Sequence, residues 1–318
     1  MFEKNNIFTE INKEDNEIFS KLNKSDLEFL LALINNYKLS LRERINISED
    51  ETFGLEIECE RADRYKILDG LHDDWILDDD LSLENGAEIK SPVLRDTKEN
   101  WNILRNMCSM IARHAEVGIN AGGHVHVGVQ ALGNKDQSFI NFLKLWAVYE
   151  PIIFRFTHGE FLGPRPGMKE AAKSVQVEFL NMHYLWKKKY AGEKEIIHYL
   201  CDDKCKAVNF KHYYTLRTFE FRCPNATLDP VIWQNNVNLF IKMLLYSKSP
   251  NFNSSIIDEK SRKVLIENKT HNNIYLTDAL EFADLIFDNN LDKVYFLRQY
   301  LKSFQASDKY EWAKTFTK

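Results

Sequence analysis

The sequence is poor in the features that would assign it to several large classes of protein. It has five cysteines in 318 residues, an odd number for a chain this long. No disulfide framework is expected, and the reducing cytoplasm is the simplest setting. There is no excess of positive charge: 42 Lys and Arg stand against 47 Asp and Glu, a formal net charge of −5, which argues against a general nucleic-acid binder. No apolar run is long enough to span a bilayer, so no membrane partner is expected. The best stretch, "FINFLKLWAVYEPIIFRF", contains Lys144, Glu150 and Pro151 and reads as a buried helix kinked or broken at the proline. The start, "MFEKNNIFTEINKEDNEIF", is charged throughout and has no apolar leader segment. Internal repeats and low-complexity linkers are also lacking.

What is present suits a globular protein: 44% hydrophobic and 13% aromatic residues can fill a sizeable core. Residues 1–48 read as a polar, helical extension, with Ser25 as N-cap of the helical pattern "SDLEFLLALINNY". Alternation then begins in "FGLEIECE", and further strands are expected in "DWILD", "GAEIKSP", "HVHVGVQ", "KAVNFKH" and "LRTFEFR". Helices are expected near 97–116, 136–158 and 230–247, and the region 251–318 is mostly helical. Strands mixed with helices, without regular βαβ alternation, indicate an α+β fold. Its main domain spans 49–250.

Four strands share one design. Side chains alternate faces along a strand, so Leu55 and Ile57 oppose Glu56 and Glu58. Ala87 and Ile89 oppose Glu88 and Lys90, Val125 and Val127 oppose His124 and His126, and Phe219 and Phe221 oppose Glu220 and Arg222. Any one of these polar faces could be a solvated surface. Together, if paired in one sheet, they bring carboxylates close enough to repel one another. Cations relieve that repulsion, and carboxylates with occasional imidazole suit Mg²⁺ or Mn²⁺ better than zinc. The glycines around the histidine pair, Gly122, Gly123 and Gly128, allow another group to approach the backbone.

The succession "FGLEIE", "DDDLSLENGAEIKSPVL", "NAGGHVHVG", "KAVNF" and "TFEFRCPNATLD" resembles the motifs of the amidoligase family, a branch of the carboxylate–amine ligase superfamily that includes glutamine synthetase and glutamate–cysteine ligase. The resemblance covers roughly residues 50–245. It implies a glutamine-synthetase-like catalytic domain, a curved and mostly antiparallel sheet backed by helices. It also implies ATP and two or three divalent ions, and amide formation through an acyl phosphate. By motif, Glu56, Glu58, Glu88, His124 and Glu220 would be metal ligands, and Asp80 would lie near substrate or metal. His126, Lys90 and Arg217 would serve the nucleotide. Arg222 would contact phosphate at the reacting centre, as a guanidinium suits. The substrates would be a small-molecule or peptide carboxylate and an amine. The helical additions offer surfaces for a partner or for a homo-oligomer.

Three other functions would use the same equipment: a guanidino-kinase-type phosphotransferase, a metal hydrolase, and a non-catalytic nucleotide- or peptide-binding relic. Against the last, every expected acid is retained. "GVQALGNK" imitates a P-loop but has Asn134 where lysine should follow the second glycine. Cys201 and Cys205 in "CDDKC" lack the second pair a structural zinc site needs. Cys223 has no evident partner base and reads as a packing residue. "GEFLGPRPGMK" is either a surface turn or a loop carrying Arg165 to an anionic group. Tyr213 and Tyr214 read as packing more readily than as a substrate channel.

Overall fold

The structure, a computed structural model, describes residues 40–301 apart from 119, 162, 190, 191, 202, 268 and 272. The helical pattern expected over "SDLEFLLALINNY" and the tail beyond 301 lie outside the described residues. Six strands form one sheet: β1 (Phe53–Cys59), β2 (Ile76–Asp80), β3 (Gly86–Lys90), β4 (Gly123–Gly128), β5 (Val208–Asn209) and β6 (Thr218–Phe221). Their order is β2-β3-β1-β4-β6-β5, and every ladder is antiparallel.

Alternation in sequence becomes a two-faced sheet. Phe53, Leu55, Ile57, Ala87, Ile89, Val125, Val127, Phe219 and Phe221 are buried, and each large one contributes about 1.5–3 kcal/mol by leaving water. Three helices cover this face: α1 (Lys98–Ile111), α2 (Asp136–Thr157) and α3 (Pro230–Lys248). Trp101 of α1 stacks on Phe53 at 5.0 Å, Trp146 of α2 on Phe221 at 5.7 Å, and Phe240 of α3 on Phe221 at 4.0 Å. Thr97 caps α1 by accepting from the Asn100 N–H, and α3 starts with Asp229 as N-cap and Pro230 in its first turn.

Of the kink or break expected at Pro151 there is no break: helix α2 runs through the proline. Proline cannot donate to the carbonyl four residues back. The Gln176 side chain supplies that bond, Nε2 to the Ala147 carbonyl at 2.8 Å, and burial on both sides holds the helix together.

Residues 40–48, the described part of the expected N-terminal helix, are not helical. Their backbone bonds go to side chains instead. Asp96 accepts from the N–H groups of Ile45 and Ile47 at 2.8 and 3.2 Å, and Gln234 bonds both backbone groups of Arg42 at 2.9 Å. After residue 250 come α4 (Ser254–Ser261), α5 (Leu276–Ile286) and α6 (Asn290–Leu301). Phe282 stacks on Tyr149 at 4.7 Å and Phe296 on Phe156 at 5.0 Å, so these helices extend the apolar core of the sheet domain. No helix among the described residues is long and apolar enough to cross a membrane.

Candidate active site

Register decides the site. Pairing sets Glu56 opposite His124 and Lys90, Glu58 opposite Glu88, and His126 opposite Glu220. Four strands thus deliver their polar residues to one patch on the face that α1, α2 and α3 leave uncovered.

Four carboxylates converge on His124. Glu56 reaches Nδ1 at 2.6 Å, Glu58 reaches Nε2 at 3.3 Å, and Glu220 and Glu88 lie 3.6 and 3.9 Å from Nδ1. An imidazole has two ring nitrogens, so it cannot satisfy four acids. His126 Nε2 stands 3.2 Å from Glu56. The Nε2 atoms of both histidines are buried without a hydrogen bond. Among the described residues, two groups offer ligand atoms within 4.8 Å of one another: Glu56, Glu88 and His124, and Glu56, His126 and Glu220. Their oxygen-rich composition, together with the orphaned imidazole nitrogens, fits hard divalent cations sharing Glu56.

The electrostatics follow from this crowding. Burial pushes the Glu56 carboxyl upward, but the hydrogen bond to His124 and the charge of the adjoining His124 and His126 outweigh it and hold Glu56 well below the usual carboxylate range. Glu88 is raised, by burial and by the charge of Glu56, against the pull of Lys90. For His126, burial lowers the pKa, yet Glu56 and Glu220 raise it above the ordinary value.

Cations stand at the margins. Lys90 bridges Asp78 at 2.7 Å and Glu88 at 2.9 Å. Arg222 pairs with Glu220 and donates from Nε to the Ala171 carbonyl at 3.2 Å. Asp80 sits at the end of β2 with its carboxylate on the Ser82 amide and hydroxyl, at 2.8 and 2.6 Å, and belongs to neither cation-holding group. Glu58 also stands outside those groups, and one of its oxygens accepts the Gly122 N–H. His126, expected at the nucleotide, falls within the second group.

Arg217 is not brought to this cluster. It has a positive φ of 59°, lies over the Tyr213 ring at 5.7 Å, and lines a separate pocket with Tyr214, Gly133 and Lys194. Alternation puts it out of phase with Glu220 and Arg222, and the left-handed turn sends it elsewhere. At the glycines the groups that approach the backbone belong to the protein itself. A Cβ at Gly122 would meet Arg165, one at Gly123 would meet Trp233, and one at Gly128 would meet Gln130, so the protein's own side chains fill that space. Cys223 is fully buried with its thiol pushed up to about 12 by burial, the environment of a packing residue.

Asn209 is a site residue that sequence patterning did not single out. It is buried and donates to Glu220 at 2.6 Å, so Asn209 and Arg222 each hold one oxygen of that carboxylate. Its signal was faint: a polar residue between Val208 and Phe210, whose partner emerges only from the β5–β6 register.

A family model described as "Putative amidoligase enzyme" matches residues 44–244, more than half of the chain and all six strands. No curated protein matches the sequence. Among solved structures, a bifunctional glutathione synthetase from Pasteurella multocida is similar at 11% identity with a TM-score of 0.42, over 89% of this chain and 50% of that one. The chain thus spans about half the length of that protein, and the likeness is too remote to assign a fold. On the family match, the chain belongs to the amidoligase family.

Proposed function

We propose that this protein is an ATP-dependent carboxylate–amine ligase that forms an amide through an acyl phosphate, on a glutamine-synthetase-like catalytic sheet. The observation that carries the reading is the convergence of Glu56, Glu58, Glu88 and Glu220 on two imidazoles, within the residues matched to the family.

Glu56, Glu88 and His124 would hold one Mg²⁺ or Mn²⁺, and Glu56, His126 and Glu220 a second, with Glu58 beside them. Such ions supply charge stabilisation for the triphosphate. Phosphoryl transfer gathers negative charge on the transferred group, so the protein contributes chiefly by positioning and electrostatics. Arg222 is suited to both. Glu220 and Ala171 orient its guanidinium, and its planar fork matches phosphate oxygens. Lys90, tied to Asp78 and Glu88, brings a second fixed cation. Asp80, on the rim, would face the substrates, a small-molecule or peptide carboxylate and an amine. The five free thiols suit a cytoplasmic enzyme.

The test is incubation with Mg·ATP, a panel of carboxylic acids and hydroxylamine. ADP and a hydroxamate should form together, each dependent on the acid. Release of AMP, product formation without ATP, or a stable phosphorylated guanidino compound would each overturn the reading.

A further inference from the structure

Arg165 is a buried cation for which the proposed chemistry has no direct use. It is 4% exposed, and its guanidinium meets backbone carbonyls, Nη1 to Pro224 at 2.7 Å and Nη2 to Arg222 at 3.4 Å. Among the described residues no carboxylate comes within ion-pair distance of it. A buried charge costs several kcal/mol unless its surroundings compensate. Burial lowers its pKa, and the field of Glu58 is the largest influence opposing that.

The surrounding residues show how it is held. Asn225, also buried, donates to the carbonyls of His158 and Gly163 at 3.3 and 3.1 Å and accepts from the Arg165 N–H at 3.1 Å. The loop after α2 is therefore tied to the segment that follows β6, with Arg165 directed inward. Its guanidinium occupies the space a side chain at 122 would need: a Cβ there would lie 1.9 Å from Nη1 and 2.3 Å from Cζ. Gly122 in turn is bonded to Glu58 twice. Its N–H donates to the Glu58 carboxylate, and its carbonyl accepts from the Glu58 N–H at 3.2 Å.

We propose that Arg165 is a positioning residue: clamped by Asn225 and seated against Gly122, it fixes the amide that holds the Glu58 carboxylate against His124, a member of the first cation-holding group. This rests on the reading of the sheet face as a metal site. Glycine at 122 is then required by the guanidinium behind it rather than by a ligand in front. A lysine could return the charge but could not bond both carbonyls with the same planar fork.

Two readouts on the full chain separate this role from general core support. With ¹⁵N-glycine labelling, the Gly122 amide, one of twelve glycines, reports its bond to carboxylate as a downfield proton shift, and Glu58→Gln identifies it. Arg165→Met should move that resonance upfield, and Arg165→Lys should move it less. Mn²⁺ titration without nucleotide should show about tenfold weaker binding in Arg165→Met and in Gly122→Ala, the scale for residues that orient a metal ligand. Lysine should recover part of the loss. In an Arg165→Ala background, Gly122→Ala should add little further loss, because the clash is gone. An Arg165→Met protein with an unmoved amide and wild-type Mn²⁺ affinity overturns the assignment. So does a loss that lysine leaves unrecovered and that follows a general fall in melting temperature. Absence of Mn²⁺ binding by the wild type would overturn the metal reading, and the amide shift would still decide the role of Arg165.

Discussion

Two acidic clusters lie on opposite sides of α2 and are neutralised in different ways. Beyond its outer surface, Asp278 meets Lys260 at 2.6 Å and Lys269 at 2.7 Å, Glu281 meets Lys260 at 2.9 Å, and Glu267 meets Lys269 at 2.6 Å. Every carboxylate there touches an ammonium. On the open face of the sheet, Glu56 and Glu58 have, among the described residues, only imidazoles as basic neighbours within ion-pair distance, and Lys90 and Arg222 reach Glu88 and Glu220 from the margins. The pKa directions record the contrast. Burial raises Asp278, but its two lysines outweigh it and hold the group below its ordinary value. Glu88 is raised, by burial and the charge of Glu56, despite Lys90. A cluster complete in itself stabilises a fold, whereas one left with surplus acceptors is built for something that arrives from outside.

The comparison is tested most severely at Glu56, common to both cation-holding groups. Glu56→Gln keeps the shape and removes the charge. Synthetic rate should fall by on the order of a thousandfold, the upper range for losing one charge-stabilising group, and the thermal shift produced by Mn²⁺ should vanish. A normal Mn²⁺ shift in this variant would show that the sheet-face acids are not a metal site.

Arg222→Lys comes next. It retains one positive charge and loses the fork, so a loss on the order of a hundredfold in rate is expected with nucleotide affinity little changed. Rate assays beside calorimetric titration with ATP distinguish this from a binding defect.

The outer cluster should behave in the opposite manner. Asp278→Asn should lower stability by roughly 2 kcal/mol, the scale of hydrogen bonds to charged groups, and leave activity unchanged. Because Asp278 is depressed from its ordinary 3.8, its stabilisation is present above that pH and is lost as the pH falls toward the lower folded value. Acid unfolding followed by circular dichroism should therefore show the wild-type advantage begin to shrink below about pH 4 and go on shrinking as the pH falls further. An undiminished advantage at lower pH would mean that this network is not what stabilises α5. The smallest effect is at Gln176. Gln176→Leu leaves the Ala147 carbonyl without the donor that replaces the Pro151 N–H, and should cost about 1 kcal/mol in a denaturant titration.

Local sequence determined which residues could share a face. The two-residue period in "GLEIECE", "GAEIK", "HVHV" and "TFEFR" separated apolar from polar side chains, and the antiparallel sheet kept that separation. Helices near 97–116, 136–158 and 230–247 were likewise legible in the sequence, to within a few residues except at the end of the first. Tertiary structure decided what periodicity cannot encode, namely which residue stands opposite which. A register slip of one residue would reverse a strand's faces, so the approach of Glu56, Glu58, Glu88 and Glu220 to one imidazole exists only once three ladders have formed. The same reason hid Asn209, whose partner lies 11 residues away, and the partners of Arg165, which the sequence marked for an anionic group but which bonds instead to groups 57 to 60 residues away. It also sent Arg217 to another pocket through one positive φ, and left Pro151 inside an unbroken helix because a distant glutamine took the bond that the proline could not make.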